Sequence, residues 1–265
     1  MNQIKFEKSS IQEINSILEE YIQSLTSVVD DFWEEHILTA DIYLIQKEEK
    51  TVGCFAIHNK DKITMFYIQH EYVRMAQDVF KRILSDFCVQ TAFVTTCDLL
   101  FLNLCLDSHK KIELQAYFFK HSGNIVRSQE YSRDLLKLAI PSDEADILDN
   151  ENVAENIALG KYYVMRENGI FLGQGFFNML TFMPGIASIG MSVHPDFRRK
   201  GVGRSIIMHL ADICREKGVT PYCGCWYYNH NSKATLESAG FVAQTRLLNV
   251  FFKDETEVWN EDAKR

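Results

Sequence analysis

Neither a basic excess, nor a long apolar run, nor a leader-like start is found in this sequence, and each shortage removes a class of function. The 265 residues hold 28 Lys and Arg against 36 Asp and Glu, a formal net charge of −8. No global cationic footprint therefore exists for nucleic acid or an anionic membrane, and any basic feature must be local. No apolar run reaches the roughly 18 residues that a membrane-spanning helix needs. Met1 to Ser10 is mixed and charged, without the apolar stretch of a signal peptide, and a cytoplasmic protein is expected. The seven cysteines are an odd number scattered through apolar segments, which fits reduced, buried thiols better than a disulfide framework. What remains has the profile of a globular protein, 46% hydrophobic and 24% charged. Its length suits one large domain or two modest ones.

Periodicity divides the chain. Ile11, Ile14, Ile17, Leu18, Tyr21, Ile22 and Leu25 recur at helical spacing. Short apolar runs follow at residues 42–45, 52–57 and 63–68, with Lys47-Glu48-Glu49-Lys50 as a hairpin turn. A helix is expected over 71–87, a strand over 91–96, a short helix over 99–106, and strands over 112–119 and 134–140. The polar stretch 142–159 has room for a helix. Then come a strand at 161–165, an Asn168-Gly169 hairpin turn, and strands over 170–180 and 186–193. A helix starts near Val202 and ends at Gly218. A strand at 221–228, a helix at 232–238 and a strand at 242–252 complete the pattern. The order strand–strand–strand–helix–strand–helix–strand thus occurs twice. Two related units are expected, residues 1–125 and 126–265, although one continuous domain with a coincidental order would read the same way.

The segment Ser192-Val193-His194-Pro195-Asp196-Phe197-Arg198-Arg199-Lys200-Gly201-Val202-Gly203-Arg204 carries the chemistry. A strand ends, Pro195 stops pairing, and a glycine-bearing turn opens a helix. Unpaired N–H groups at the positive end of a helix dipole form an anion site. Gly201 and Gly203 remove Cβ atoms that would keep a phosphate away, and Arg198, Arg199, Lys200 and Arg204 add positive charge. The spacing is neither Gly-x-Gly-x-x-Gly nor Gly-x4-Gly-Lys-Ser/Thr. Alone, the loop reads equally well as a solvated basic turn.

With its neighbours it resembles a known family. Arg198-x-x-Gly201-x-Gly203 after Val193-x-Pro195, together with Asn229-x-x-Ser232-x-x-x-Leu236-Glu237-x-x-Gly240-Phe241, is similar to two motifs of the GCN5-related N-acetyltransferase (GNAT) superfamily. The resemblance covers roughly residues 160–252, and Pro221 to Phe241 also resembles a subgroup of two-unit bacterial acetyltransferases. It implies an α/β (α+β) fold with a mixed, mostly antiparallel twisted sheet flanked by helices, in two tandem units. It implies acetyl-CoA as co-substrate, with no metal. The backbone of Met191, Ser192 and Val193 would meet the pantetheine arm and acetyl carbonyl. The N–H groups of Arg199, Lys200, Gly201, Val202, Gly203 and Arg204 would hold the pyrophosphate. Asn229 would sit near the thiol end and Ser232 near the pantetheine or phosphates; plain helix capping is the alternative for both. The expected partner is a small-molecule or peptide amine, with neither nucleic acid nor membrane, and a homodimer is compatible.

Amine acetylation needs a neutral amine, and deprotonating a lysine-like one at pH 7 costs roughly 4.6 kcal/mol. The usual devices are missing. A glutamate is common five or six residues before the Val193 position, where this chain has Ala187 and Ser188. A tyrosine is common as thiolate acid seven residues after Asn229, where this chain has Leu236. Tyr227, Tyr228 and His194 are near in sequence, but strand packing and a surface loop explain them. No catalytic side chain is assigned, and catalysis by positioning stays open. In the first unit the equivalent junction, Ile68 to Ala76, has no glycine, so the N-terminal unit is expected to be degenerate, without a cofactor site. Cys223-x-Cys225 lacks a second pair at zinc spacing and reads as strand packing. Three functions follow: an N-acetyltransferase, a non-catalytic acyl-CoA-binding or regulatory protein, and a phosphate or nucleic-acid binder that the net charge disfavours. The acidic composition mildly suits a cationic amine such as an aminoglycoside-like compound, a polyamine or a peptide N-terminus.

Overall fold

Branched and aromatic residues at period two set the strands, and turns with positive φ end them. We describe residues 4–124, 126–148 and 152–253 of a computed structural model. The ends of both expected units, and residues 149–151 of the polar stretch, lie outside that range. In chain order the strands and α-helices are β1 Ile4–Ser9, α1 Asn15–Ser24, α2 Asp31–Leu38, β2 Asp41–Lys47, β3 Lys50–His58, β4 Lys62–Ile68, α3 Ala76–Asp86, β5 Thr91–Thr95, α4 Leu99–Ser108, β6 His109–His121, β7 Leu136–Leu138, α5 Val153–Ala158, β8 Tyr162–Glu167, β9 Ile170–Met179, β10 Ile186–Val193, α6 Val202–Glu216, β11 Thr220–Trp226, α7 His230–Ser238 and β12 Phe241–Phe252. The repeated order is present as β2-β3-β4-α3-β5-α4-β6 and β8-β9-β10-α6-β11-α7-β12.

Some local expectations shift. The helix expected over 71–87 is a 3-10 turn at His70–Met75 followed by α3. In that turn Glu71 pairs with Lys50 at 2.9 Å and Tyr72 lies beneath two lysines. The strand expected over 134–140 shrinks to β7, between a 3-10 turn at Arg133–Leu135 and Pro141; proline donates no ladder hydrogen bond. The first helix starts at Asn15 rather than Ile11, because the Glu13 carboxylate accepts from Ser9 and Ser10 and holds a turn there. Strand β1 and helix α2 were not anticipated.

The chain forms two compact units: Met1–Ser27, Phe32–Ala116 and Thr245–Arg265 make the first, and Val28–Asp31 and Tyr117–Gln244 the second. Strands β6 and β12 therefore each contribute residues to both.

In the first unit the strand order is β1-β2-β3-β4-β5-β12, with β4–β5 parallel and the neighbouring pairs β1–β2, β2–β3, β3–β4 and β5–β12 antiparallel. Phe66, Phe80 and Phe101 are buried in its core, with Phe66–Phe80 and Phe80–Phe101 edge-to-face. Each is worth about 1.5–3 kcal/mol relative to exposure. A buried polar pair stands at the start of α4. Tyr21 donates to Asp98 at 2.9 Å, and Asp98 caps α4 by accepting from the Phe101 N–H.

In the second unit the order is β6-β11-β10-β9-β8-β7. Here β7–β8, β8–β9 and β9–β10 are antiparallel and β10–β11 is parallel. Asn168 and Gly169 have φ of 49° and 81°, the double positive φ of the expected hairpin turn. Helix α6 buries Val202, Ile206, Ile207, Leu210 and Ile213 against Ala187 and Ile189 of β10 and Cys223 of β11, the amphipathic stripe its spacing predicts. None of the seven cysteines is joined in a disulfide, and five of them are buried. No helix among the described residues is long and apolar enough to cross a membrane.

Candidate acetyl-CoA site

Strands β10 and β11 part company. Their parallel register runs through Ile186↔Thr220, Ala187↔Pro221 and Ser188↔Tyr222, and no further pairs follow although both strands continue. On its other edge β10 stays paired to β9 as far as Val193↔Gly173. The His194 N–H donates to the Leu172 carbonyl at 3.0 Å, so by two-residue alternation the N–H groups of Met191 and Val193 turn away from β9, toward the gap left by β11. Backbone hydrogen-bonding groups thus line a wedge with no strand on its other side.

At the end of the wedge, α6 begins. Gly201 is its N-cap with φ of 82°, a conformation that costs other residues roughly 1–2 kcal/mol. The preceding Arg199 also has positive φ, 61°. Arg198 folds back so that its Nε donates to the Val193 carbonyl at 3.2 Å. Lys200 extends over the Phe197 ring at 5.1 Å. Val202 is a core residue. Gly203 is needed for packing as much as for access, since a Cβ there would meet Val193 and Thr235 side chains at 3.2 Å.

Arg204 is not simply one more exposed positive charge. Its guanidinium is ion-paired to Glu130, and its Nε donates to the Ser128 carbonyl at 3.2 Å. The Glu130 carboxylate lies against Gly201, where any Cβ would collide with it. Two residues of α6 pin this segment. The buried Ser205 hydroxyl accepts from the Glu130 and Tyr131 N–H groups at 3.0 and 3.1 Å, and His209 bonds the Tyr131 carbonyl at 2.8 Å. Sequence reading missed Glu130, Ser205 and His209; no local pattern marks them.

Beyond β11, Asn229 caps α7: its Oδ1 accepts from the Ser232 N–H at 3.0 Å. The capping role considered for this pair is thus present. Leu236 is buried in the core of the unit. Tyr227 stacks on Tyr117 with ring centroids 4.7 Å apart. Tyr228 and Trp226 are more than half exposed and meet edge to face at 5.1 Å. His194 accepts weakly from the Asp196 N–H at 3.4 Å in the surface loop.

Ala187 faces the α6 core, and alternation sends Ser188 to the opposite face. There it is not alone. The buried Ser188 hydroxyl donates to the Asp31 carboxylate at 2.6 Å. The adjacent Asp30, 6% exposed, lies against Gly224 of β11, where a Cβ would occupy its carboxylate position. Residues 28–31 thus bring two carboxylates to the wedge face away from α6. Burial, together with the Asp30 charge, pushes the Cys223 thiol well above its ordinary range, so this cysteine is an inert thiol. The sequence signal for α2 was available in Asp30-Asp31 before an apolar run; its destination was not.

In the first unit β4 and β5 also pair only at Lys62↔Thr91 and Ile63↔Ala92. The following junction, however, is the 3-10 turn with Glu71 and Tyr72 engaged by Lys50, not a glycine helix start.

Comparisons with known proteins agree with this geometry. The family described as "Acetyltransferase (GNAT) domain" matches residues 10–122, and "Acetyltransferase (GNAT) family" matches residues 129–241. Among curated proteins none matches the sequence. Of solved structures, a GNAT-family acetyltransferase from Colwellia psychrerythraea is similar with TM-score 0.85 at 19% identity, covering 95% of this chain and 100% of the other. A tandem GNAT protein from the clavulanic acid biosynthesis pathway gives 0.61 at 12% identity over 94% and 98%. A GCN5-related N-acetyltransferase from Sphaerobacter thermophilus gives 0.63 at 9% identity over 94% and 95%. At these identities the structures speak for the fold alone, while the two family matches span most of the sequence. The chain belongs to the GNAT family and is built from two GNAT domains in tandem.

Proposed function

We propose that the C-terminal domain binds acetyl-CoA and transfers its acetyl group to a primary amine of a small molecule or peptide, in the cytoplasm. The observation that carries this reading is the separation of β10 and β11 after Ser188 and Tyr222, leading to a glycine-capped helix start at Gly201. An extended pantetheine arm would lie along the backbone of Met191 to Val193 as a missing strand would, leaving the outward Val193 N–H to the acetyl carbonyl. The pyrophosphate would take the N–H groups of Arg199, Lys200, Gly201, Val202, Gly203 and Arg204, with Arg198 beside it, once the Glu130 carboxylate turns aside. Asn229 and Ser232 would border the thiol end, their cap fixing the start of α7. The Val193 N–H would stabilise the oxyanion of the tetrahedral intermediate. The acetyl thioester supplies an activated carbonyl, and the chain supplies alignment.

A second reading has one specific observation in its favour. Leu236 sits in the core where the family commonly has a tyrosine acid, which suits an acyl-CoA-binding or regulatory protein without turnover. Thiol release from acetyl-CoA across a panel of amines, with calorimetric binding of acetyl-CoA, separates the two. Binding with no release from any amine would leave only the second.

A further inference from the structure

We infer that Asp31 is the general base of the acetyl transfer, held in place by Ser188; this rests on the acetyltransferase reading above. Ser188 occupies one of the two β10 positions where the family commonly has a glutamate, and unlike Ala187 its side chain points away from α6. Its hydroxyl is hydrogen-bonded to the Asp31 carboxylate at 2.6 Å, the short distance of a charge-assisted O–H···O⁻ bond. A carboxylate therefore stands beside the strand position that lacks one, delivered from a different part of the chain. Asp31 is only half-buried, so solvent and an acceptor amine can reach it, whereas Asp30 is buried against Gly224 and anchors the segment.

The placement suits the chemistry. The wedge opens immediately after Ser188. Met191 lies three residues on, roughly 10 Å along the strand, a distance that a chain of hydrogen-bonded waters would bridge. Position 190 between them is a glycine with only the Phe176 Cβ within 4 Å of an added Cβ, at 3.9 Å, so there is room directly over Gly190. The acceptor ammonium gives one proton to Asp31, directly or through water. The neutral nitrogen then attacks the acetyl carbonyl, forming the C–N bond. As the C–S bond breaks, the thiolate takes one of the two protons still on nitrogen, the other stays on the amide, and Asp31 returns its own to solvent. The balance is one amide, one free thiol and one proton released. Ser188 is a positioning residue, and Asp31 alone accepts the substrate proton.

The test is steady-state thiol release with spermidine, an aminoglycoside and a peptide with a free N-terminus, alongside calorimetric acetyl-CoA binding. With whichever amine supports turnover, Asp31→Asn should lower kcat at least about 100-fold and leave acetyl-CoA affinity within about twofold. Ser188→Ala, which keeps the carboxylate but frees it, should lower kcat about tenfold. The decisive variant moves the carboxylate onto the strand: Ser188→Glu in an Asp31→Ala background should regain at least tenfold over Asp31→Ala alone, which a merely structural role would not produce. Turnover by Asp31→Asn within about threefold of the unaltered protein overturns the assignment and leaves acetyltransfer intact, as does a double variant no faster than Asp31→Ala. Acetyl-CoA binding without release from any amine overturns both.

Discussion

The Glu130 carboxylate rests on Gly201 and at the same time holds the Arg204 guanidinium. An anion of the chain itself thus stands at the helix start where a pyrophosphate would bind. Like charges repel there, and the pair lies at the solvent edge, where such terms amount to about 1 kcal/mol and are screened by salt. Glu130→Gln is expected to tighten acetyl-CoA binding three- to tenfold at low salt, with a smaller gain at 200 mM salt. Calorimetry at the two salt concentrations checks this; unchanged or weaker binding would refute the competition.

Asn229 is visible as a helix cap, so its replacement has a stability component to be separated from any contact with acetyl-CoA. Asn229→Ala should cost about 1 kcal/mol in urea unfolding, while Asn229→Asp keeps the cap. If Asn229 also touches the cofactor, both variants raise the KM for acetyl-CoA. If it only caps, the aspartate variant keeps the original KM.

Gly224 leaves room for the Asp30 carboxylate. Gly224→Ala should destabilise by about 1–3 kcal/mol and lower turnover, because the 28–31 segment must move. Asp30→Ala in the same chain removes the collision. The double variant should therefore be more stable than the sum of the single changes predicts, a coupling that a double-mutant cycle in urea measures. Additive losses would mean that the carboxylate is easily accommodated elsewhere.

Asp98 makes stability depend on pH. Its burial raises the carboxyl to about 6, although the Tyr21 and Phe101 hydrogen bonds work the other way. The folded chain therefore holds this proton where the unfolded chain, with an ordinary aspartate near 3.9, has lost it. Stability is then greatest below about pH 4 as far as this group is concerned, and falls as pH rises to about 6. Two pH units correspond to about 3 kcal/mol. Asp98→Asn should remove that slope, read as the difference in Tm between variant and unaltered protein at pH 4 and pH 7; parallel pH profiles would contradict it.

What was legible in the sequence is what nearby residues decide. The Gly201 helix start, the Asn168-Gly169 hairpin and the doubled strand–helix order follow from propensity and turn chemistry within a dozen residues. So does the absence of a glycine between Ile68 and Ala76, which the structure fills with a 3-10 turn. The Ser188–Asp31 bond joins residues 157 apart, and Ser205 reaches back 75 residues to Glu130. Such pairings are decided by the packed fold, and short polar residues carry no periodic mark of their destination. Strand β1 escaped notice because its apolar residues, Ile4 and Phe6, are too few for a pattern. In α2 the acidic pair Asp30-Asp31 ahead of Phe32 and Trp33 was read past.

Strands β6 and β12 give residues to both compact units, and this has a consequence for how the protein comes into being. The first unit's β5 pairs with residues 247–251, so a ribosome that has finished the first half of the message has not yet supplied its neighbour strand. The second unit, by contrast, has all its residues once position 244 is made. The domain that is translated first is the one that must wait.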